Sequence, residues 1–280
     1  MEREHGMSGD QEQSRPVAIV TGAAGGIGEA TARALHAAGY RVFGTSRRPR
    51  VTQSPGIEYL ACDVTSDESV TTAVGGVLAK AGRIDLLVNN AGVGLLAGAE
   101  ESSLEQAKSL FDVNLFGVIR MTKAVLPVMR RQGAGRIVNI SSVMGLIPAP
   151  FMALYAASKH ALEGYSESLD HEIRGSGIRV VLVEPAYTRT SFEGNVYQAD
   201  QQLEIYRPVR SNAEAVFRDA MKNADAPELV ASAVVKASTA ATPRPRYTAG
   251  RMARQVSLLR RFVPESAFGR SLRKQMRLPA

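Results

Sequence analysis

The stretch Val17-Ala18-Ile19-Val20-Thr21-Gly22-Ala23-Ala24-Gly25-Gly26-Ile27-Gly28 runs from a short apolar segment straight into a glycine-rich turn. The apolar residues fit a buried strand, and the glycines that follow mark its end. Gly22, Gly26 and Gly28 lie between this strand and a helix expected to begin near Ile27. Missing side chains allow a tight turn and a close backbone approach, while a helix N-terminus offers unpaired N–H groups and partial positive charge to a pyrophosphate. Glycine-rich turns of this kind also serve packing alone. No Gly-Lys-Ser or Gly-Lys-Thr follows, which disfavours a loop for nucleoside triphosphates.

The same alternation continues outward. Apolar, β-rich runs at 17–21, 41–45, 57–61, 86–89, 137–141 and 179–183 alternate with longer stretches of helical spacing. That rhythm predicts a single α/β domain over residues 16–250, a doubly wound parallel sheet of Rossmann type with helices on both faces. Thr65-Ser66-Asp67-Glu68 and Ser102-Ser103-Leu104-Glu105 have the form of capping boxes, and Asp225 with Glu228 imitates one. Pro127 falls late in a helix expected over 104–131, where a bend follows from its missing N–H. After Val183 the rhythm fails. Residues 187–226 show no clear period and follow the carboxyl end of a strand, where open α/β sheets bind ligands, so a mobile substrate cover is expected there. An ordinary long connection is the plainer alternative.

At 280 residues and 45% hydrophobic, the chain has material for a sizeable core, and no linker divides it. Residues 1–15 are polar and mixed in charge, which predicts a disordered arm and neither a secretory signal nor an anchor. No apolar run approaches the ~18 residues that span a bilayer. Cys62 is the sole cysteine, so an intrachain disulfide is excluded and a reducing, cytoplasmic setting is expected. Residues 244–280 hold nine arginines and one lysine against Glu265, a charge of +9; with +7 for the whole chain, residues 1–243 sum to −2. The body carries no basic excess, so no nucleic-acid partner is expected. His5, His36, His160 and His171 lack zinc-like clustering with Cys or acids, and no metal is assigned.

The second strand ends in Gly44-Thr45-Ser46-Arg47-Arg48. A carboxylate at this place would bond an adenosine ribose 2′-hydroxyl and repel a 2′-phosphate, whereas Ser46 with the forked donors of Arg47 and Arg48 attracts one. That points to NADP(H), the alternative being a solvated basic turn. Asp63, closing the third strand, offers an acceptor for an adenine amino group or simply caps the strand. Asn90, Ala91 and Gly92 follow Asn89 at the end of the fourth strand. Small residues there let a cofactor cross the sheet edge, and an Asn amide can tie strand ends together, though a turn alone would also use them. Tyr155 and Lys159 are one helical turn apart in Tyr155-Ala156-Ala157-Ser158-Lys159, so both face the same way.

Taken together, these residues resemble the short-chain dehydrogenase/reductase family. The resemblance is carried by the Thr21-Gly22 to Gly28 turn, Asn89 to Gly92, Asn114, Ser142, the Tyr155/Lys159 pair and Pro185, in family order over residues 17–190. Ala186 departs from the family, which usually has Gly after that Pro. The resemblance implies a catalytic set of Asn114, Ser142, Tyr155 and Lys159. Tyr155 would act as acid/base with its phenolate favoured by the Lys159 ammonium together with oxidised nicotinamide, Ser142 would bond the substrate oxygen, Lys159 would hold the nicotinamide ribose, and Asn114 would hold a water that relays protons to Lys159. It implies an NADP(H) surface made by Gly22, Ala24, Gly26, Ile27, Gly28, Ser46, Arg47, Arg48, Asp63, Val64, Asn90, Ala91, Gly92, Tyr155, Lys159, Pro185, Thr188 and Thr190. A small carbonyl or alcohol substrate is expected, with lipid, steroid or retinoid substrates or a non-catalytic NADP(H) sensor as alternatives. A homodimer or homotetramer paired through helices over 104–131 and 154–174 is also implied.

The tail, residues 251–280, has its own pattern. Met252, Val256, Leu259 and Val263 recur at i, i+4, i+7 and i+11 beside Arg251, Arg254, Arg260 and Arg261, and Phe268, Leu272 and Met276 repeat the theme. One apolar stripe on a basic helix is predicted, docked on the body or on a sister subunit, or making peripheral contact with an anionic membrane.

Overall fold

The computed structural model describes residues 14–48, 54–190 and 196–278; most of the expected N-terminal arm lies outside the described residues. Seven parallel strands form one sheet: β1 Val17–Thr21, β2 Arg41–Ser46, β3 Ile57–Ala61, β4 Leu86–Asn89, β6 Gly135–Ile140, β7 Ile178–Pro185 and β9 Arg246–Ala249. Their order is β3-β2-β1-β4-β6-β7-β9, so the chain reverses its direction of travel between β1 and β4. That reversal opens a crevice at the carboxyl ends of the two strands, the usual ligand position in such sheets. A small parallel pair, β5 Gly94–Leu96 with β8 Val196–Gln198, stands apart.

Alternation along each strand divides the core in two. Ala18, Val20, Val42, Leu86, Val88 and Val138 face one way and pack against α1 (Gly26–Ala37) and α7 (Pro227–Thr239), through Leu35, Val230 and Val234 among others. Val17, Ile19, Phe43, Leu87 and Ile137 face the other way, towards α2 (Asp67–Ala81), α4 (Gly117–Gln132) and α5 (Ala153–Ile173). An all-parallel sheet requires this double cover, because both of its faces are apolar. No helix among the described residues is long and apolar enough to cross a membrane.

Several local expectations shift. Both capping signals are real but sit one residue later: Ser66 accepts from the Ser69 N–H and Ser103 from the Gln106 N–H. Asp225 does not cap α7, whose first residue is Pro227 after Ala226. The helix continues through Pro127, and its departure from α geometry comes earlier, as a π turn at Asp112–Phe116 joining α3 (Leu104–Phe111) to α4. Residues 187–226 are not without period. They contain β8 and a sixteen-residue helix, α6 (Arg207–Lys222), whose Val209, Ala213, Val216, Phe217 and Ala220 recur at helical spacing; residues 191–195 lie outside the described residues. The tail forms α8 (Arg251–Phe262) and α9 (Glu265–Gln275).

Candidate active site

Strand β1 delivers its turn to the crevice with little freedom. Gly22 and Gly26 hold φ of 67° and 56°, the left-handed region that glycine enters at least cost. Gly28 is confined instead by space: a Cβ there would lie 2.2 Å from the Gly22 carbonyl oxygen and 2.4 Å from Asn90 Nδ2. Asn90 explains the closeness, since its Nδ2 donates to the carbonyls of Thr21 (2.8 Å) and Gly22 (3.2 Å) and so ties the β4 exit to the β1 turn. Thr21, absent from the expected set, completes the clamp: its hydroxyl accepts the N–H groups of Asn90 (2.9 Å) and Ala91 (3.0 Å). Thr190 closes over Gly26, where an added Cβ would meet its Cβ at 3.0 Å.

At the β2 exit, Arg47 and Arg48 are exposed and the Ser46 hydroxyl is buried without a hydrogen-bond partner. A buried hydroxyl left unpaired beside two exposed guanidinium groups fits an anionic group that would bond all three. Asp63 closes β3 with a turn of its own. Its carboxylate accepts from the Thr65 N–H (3.0 Å) and hydroxyl (2.7 Å), a turn that holds it below the usual carboxylate pKa. Val64 packs against Gly117 in the core. Ile27 joins the sheet packing, and Ala24 lies in the turn.

On the far side of the crevice, α5 carries Tyr155 and Lys159, and β6 leads to Ser142. The Ser142 side chain lies beside the Tyr155 hydroxyl, near enough to favour its phenolate, and accepts the Met144 N–H at 3.1 Å. Lys159 is buried, its Nζ donating to the Ile140 carbonyl at 3.0 Å and lying 5.8 Å from the centroid of the Tyr155 ring. Among the chain's own groups, burial and not Lys159 dominates the phenol. Burial pushes Tyr155 up to about 12, opposed only in part by Ser142, and it pushes Lys159 down to about 8 against the pull of the Glu163 charge. Among these groups, desolvation of a phenolate outweighs the help available from an ammonium committed to a main-chain carbonyl.

Asn114 sits within the π turn, a backbone irregularity that often accompanies functional positions. Its Oδ1 accepts the Val93 N–H (2.9 Å), and its Nδ2 donates to the Val93 carbonyl (2.9 Å) and Ser158 Oγ (3.2 Å). Ser158 in turn donates to the Tyr155 carbonyl at 2.7 Å. The amide thus braces the helix that carries Tyr155, with one lone pair of Oδ1 remaining. Gly92 lies against the same oxygen. Pro185 ends β7, and Ala186 after it keeps a negative φ, so its methyl group brings no backbone strain. Thr188 Oγ1 donates to the Ala186 carbonyl at 3.3 Å, and its backbone bridges to Asp225.

Behind Lys159 lies a charged cluster outside the expected set. Arg246 Nε is 2.9 Å from Glu163 Oε2 and 3.4 Å from Glu184 Oε1, and its Nη2 reaches Glu167 at 3.1 Å. Glu163 and Glu184 are both buried, and burial raises both, with the Glu163 charge helping to push Glu184 up to about 7. The i,i+4 relation of Lys159 and Glu163 is the one local signal for this cluster. Among the described residues, no group of three His, Cys, Asp or Glu side chains could hold a metal ion.

The family model described as short chain dehydrogenase matches residues 16–201. A 3-ketodihydrosphingosine reductase of Bacteroides thetaiotaomicron is 37% identical over 79% of this chain and 82% of its own length. A short-chain dehydrogenase structure from Streptomyces avermitilis, 33% identical, superposes with a TM-score of 0.79 over 94% of this chain and 95% of that one. Nicotinamide cofactors of both kinds occur among the solved neighbours. A serine dehydrogenase complexed with NADP+ is 27% identical with a TM-score of 0.72, covering 83% of this chain and 93% of that one. A Burkholderia phymatum short chain dehydrogenase/reductase in complex with NAD is 25% identical with a TM-score of 0.74, covering 89% and 94%. With its clamped glycine turn, its Ser142–Tyr155–Lys159 grouping and these likenesses, the chain belongs to the short-chain dehydrogenase family of oxidoreductases.

Proposed function

We propose that this protein is an NADP(H)-dependent oxidoreductase that interconverts a ketone or aldehyde and an alcohol, with Tyr155 as acid/base. The observation that carries the proposal is the grouping of Ser142 beside the Tyr155 hydroxyl with the buried Lys159 one turn away, its Nζ 5.8 Å from the Tyr155 ring centroid. When bound, a nicotinamide dinucleotide supplies or accepts the hydride. Gly22, Ala24, Gly26, Ile27 and Gly28 would hold its pyrophosphate; Ser46, Arg47 and Arg48 its 2′-phosphate; Asp63, Val64, Asn90, Ala91 and Gly92 its adenosine side. Pro185, Thr188, Thr190, Tyr155 and Lys159 would line its nicotinamide half. In reduction, Ser142 donates to the carbonyl oxygen and Tyr155 keeps its proton until that oxygen gains charge, when transfer becomes favourable. A phenol held neutral by burial suits that direction.

Replacing Tyr155 by Phe is expected to lower kcat at least about 100-fold on a panel of ketones and aldehydes while NADPH affinity is retained. Undiminished turnover would overturn the proposal. Tight NADPH binding by the wild-type chain with no turnover across the panel would instead indicate a non-catalytic NADP(H)-sensing protein. A lipid, steroid or retinoid substrate at a membrane surface is favoured by one further observation. Tyr155 packs on a buried apolar cluster of Val143, Met144 and Ile147 with the partly buried Met152 and Ala186, and the Bacteroides relative is a 3-ketodihydrosphingosine reductase. Pairing into a homodimer or homotetramer through helices over 104–131 and 154–174 is supported by the exposed Leu104 and Phe116 on that surface.

A further inference from the structure

The apolar stripe expected along the tail is split in two by the fold. Ala253, fully buried, and Val256 turn inwards and pack with Val143, Met144 and Ala186 around the Tyr155 side of the site. Met252, Leu259 and Phe262, at i, i+7 and i+10, turn outwards together with Leu258. These four are 44%, 50%, 72% and 49% exposed in that order, so one face of α8 is apolar and open to solvent, with the Arg261 guanidinium over the Phe262 ring. Arg251, Arg254, Arg260 and Arg261 are exposed on the same helix, which has no acidic residue. Beyond it, Glu265 is the single acid against Arg270, Arg273, Lys274 and Arg277, giving residues 251–278 a charge of +7.

Charge selects the occupant of this face. A second copy meeting it through a two-fold axis would set +7 against +7, whereas an anionic surface would be attracted and would receive the apolar residues beneath its charged groups. We propose that the outward face of α8 docks on an anionic lipid bilayer, with Leu258, Leu259 and Phe262 entering the interface and the arginines meeting lipid phosphates. Because the inward face of the same helix packs beside Tyr155, docking sets the rim of the crevice close to the bilayer. A cleft of about 240 Å³ at the start of α8 is lined by Ala186, Tyr187, Asp225, Arg251, Met252 and Gln255 among others. Substrates would then be membrane-dissolved ketones or alcohols. This delivery step rests on the carbonyl reductase proposal; the docking step does not.

The test is co-sedimentation of the full chain with vesicles of phosphatidylcholine alone and of phosphatidylcholine mixed with phosphatidylglycerol. Retention is expected on the mixed vesicles at low salt, at least about tenfold above that on phosphatidylcholine, and is expected to fall at high salt as screening removes the arginine contribution. Leu258→Glu/Phe262→Glu and Arg254→Gln/Arg261→Gln should each reduce retention about tenfold while turnover of a water-soluble aldehyde stays unchanged. Absence of retention on the mixed vesicles, equal retention on both vesicle types, or retention insensitive to Leu258→Glu/Phe262→Glu would overturn docking. So would a dimer in detergent-free buffer that the same double variant dissociates, since the stripe would then be a contact between copies. Retention without turnover of any carbonyl would support docking and remove only the delivery step.

Discussion

Burial raises the Tyr155 phenol to about 12 and lowers the Lys159 ammonium to about 8, one desolvation acting on groups whose charged forms have opposite sign. A proton therefore rests on Tyr155 across the neutral range, while Lys159 loses its charge as pH rises through about 8. If the ammonium holds the nicotinamide ribose, NADPH affinity in the free protein should fall about tenfold above that pH, the size of a charge-assisted hydrogen bond. Fluorescence titration checks this, and Lys159→Met should show weaker binding with no inflection. At the β2 exit, Ser46, Arg47 and Arg48 offer donors to a 2′-phosphate with no carboxylate to repel it. Arg47→Ala/Arg48→Ala is expected to reduce the preference for NADPH over NADH at least about tenfold in kcat/KM. Comparable efficiencies with the two cofactors in the wild-type protein would contradict the assignment. Tyr155, Lys159 and the glycines were legible as local patterns, whereas the Thr21 clamp was not, since a strand-end threonine has many ordinary uses.

The π turn and the cover show how elements carry information that residue patterns conceal. Hydrogen bonding of Asn114 to both main-chain groups of Val93 accompanies a widened turn between α3 and α4, and nothing in the local spacing distinguishes that turn from an ordinary helix. The segment expected to cover the substrate is pinned as well as helical. Arg210 of α6 pairs with the fully buried Glu101, which also accepts the Leu203 N–H at 2.9 Å, and Gln106 Nε2 donates to the Gln198 carbonyl at 2.8 Å. Removing one partner of a buried pair strands the other charge, at a cost of about 3–5 kcal/mol. Arg210→Met should therefore speed hydrogen exchange across residues 196–222 and raise KM more than it lowers kcat. Arg210→Met/Glu101→Gln should recover much of that protection, because the amide carries no charge and still accepts the Leu203 N–H. Unchanged exchange in the single variant would show that β8 pairing alone holds the cover.

Across the fold, strands distant in the chain bring together charges whose titration shapes stability. Burial opposes ionisation of Asp170, but bonds from Arg179, the Val180 N–H and Arg174 hold it down at about 2, so its contribution is present above 3.8 and fades as pH falls. Glu184 behaves inversely. Burial and the Glu163 charge raise it to about 7, against the pull of Arg246, so its contribution is full below 4.5 and is lost as pH rises through 7. Glu184→Gln should gain stability over the wild type by an amount that grows across that window and levels off above it, reaching roughly 2–3 kcal/mol. Denaturant unfolding at a series of pH values checks the sign, and a difference independent of pH would refute it. The strand rhythm, the glycine turn and the i,i+4 pair of Tyr155 and Lys159 were readable from the chain, because each depends on backbone periodicity over a few neighbouring residues. Arg246 meeting Glu163 and Glu184, Glu101 meeting Arg210, the neutral Tyr155 phenol and the outward turn of Phe262 came only from the assembled fold. They depend on burial and on neighbours far apart in the chain, and no local spacing encodes those.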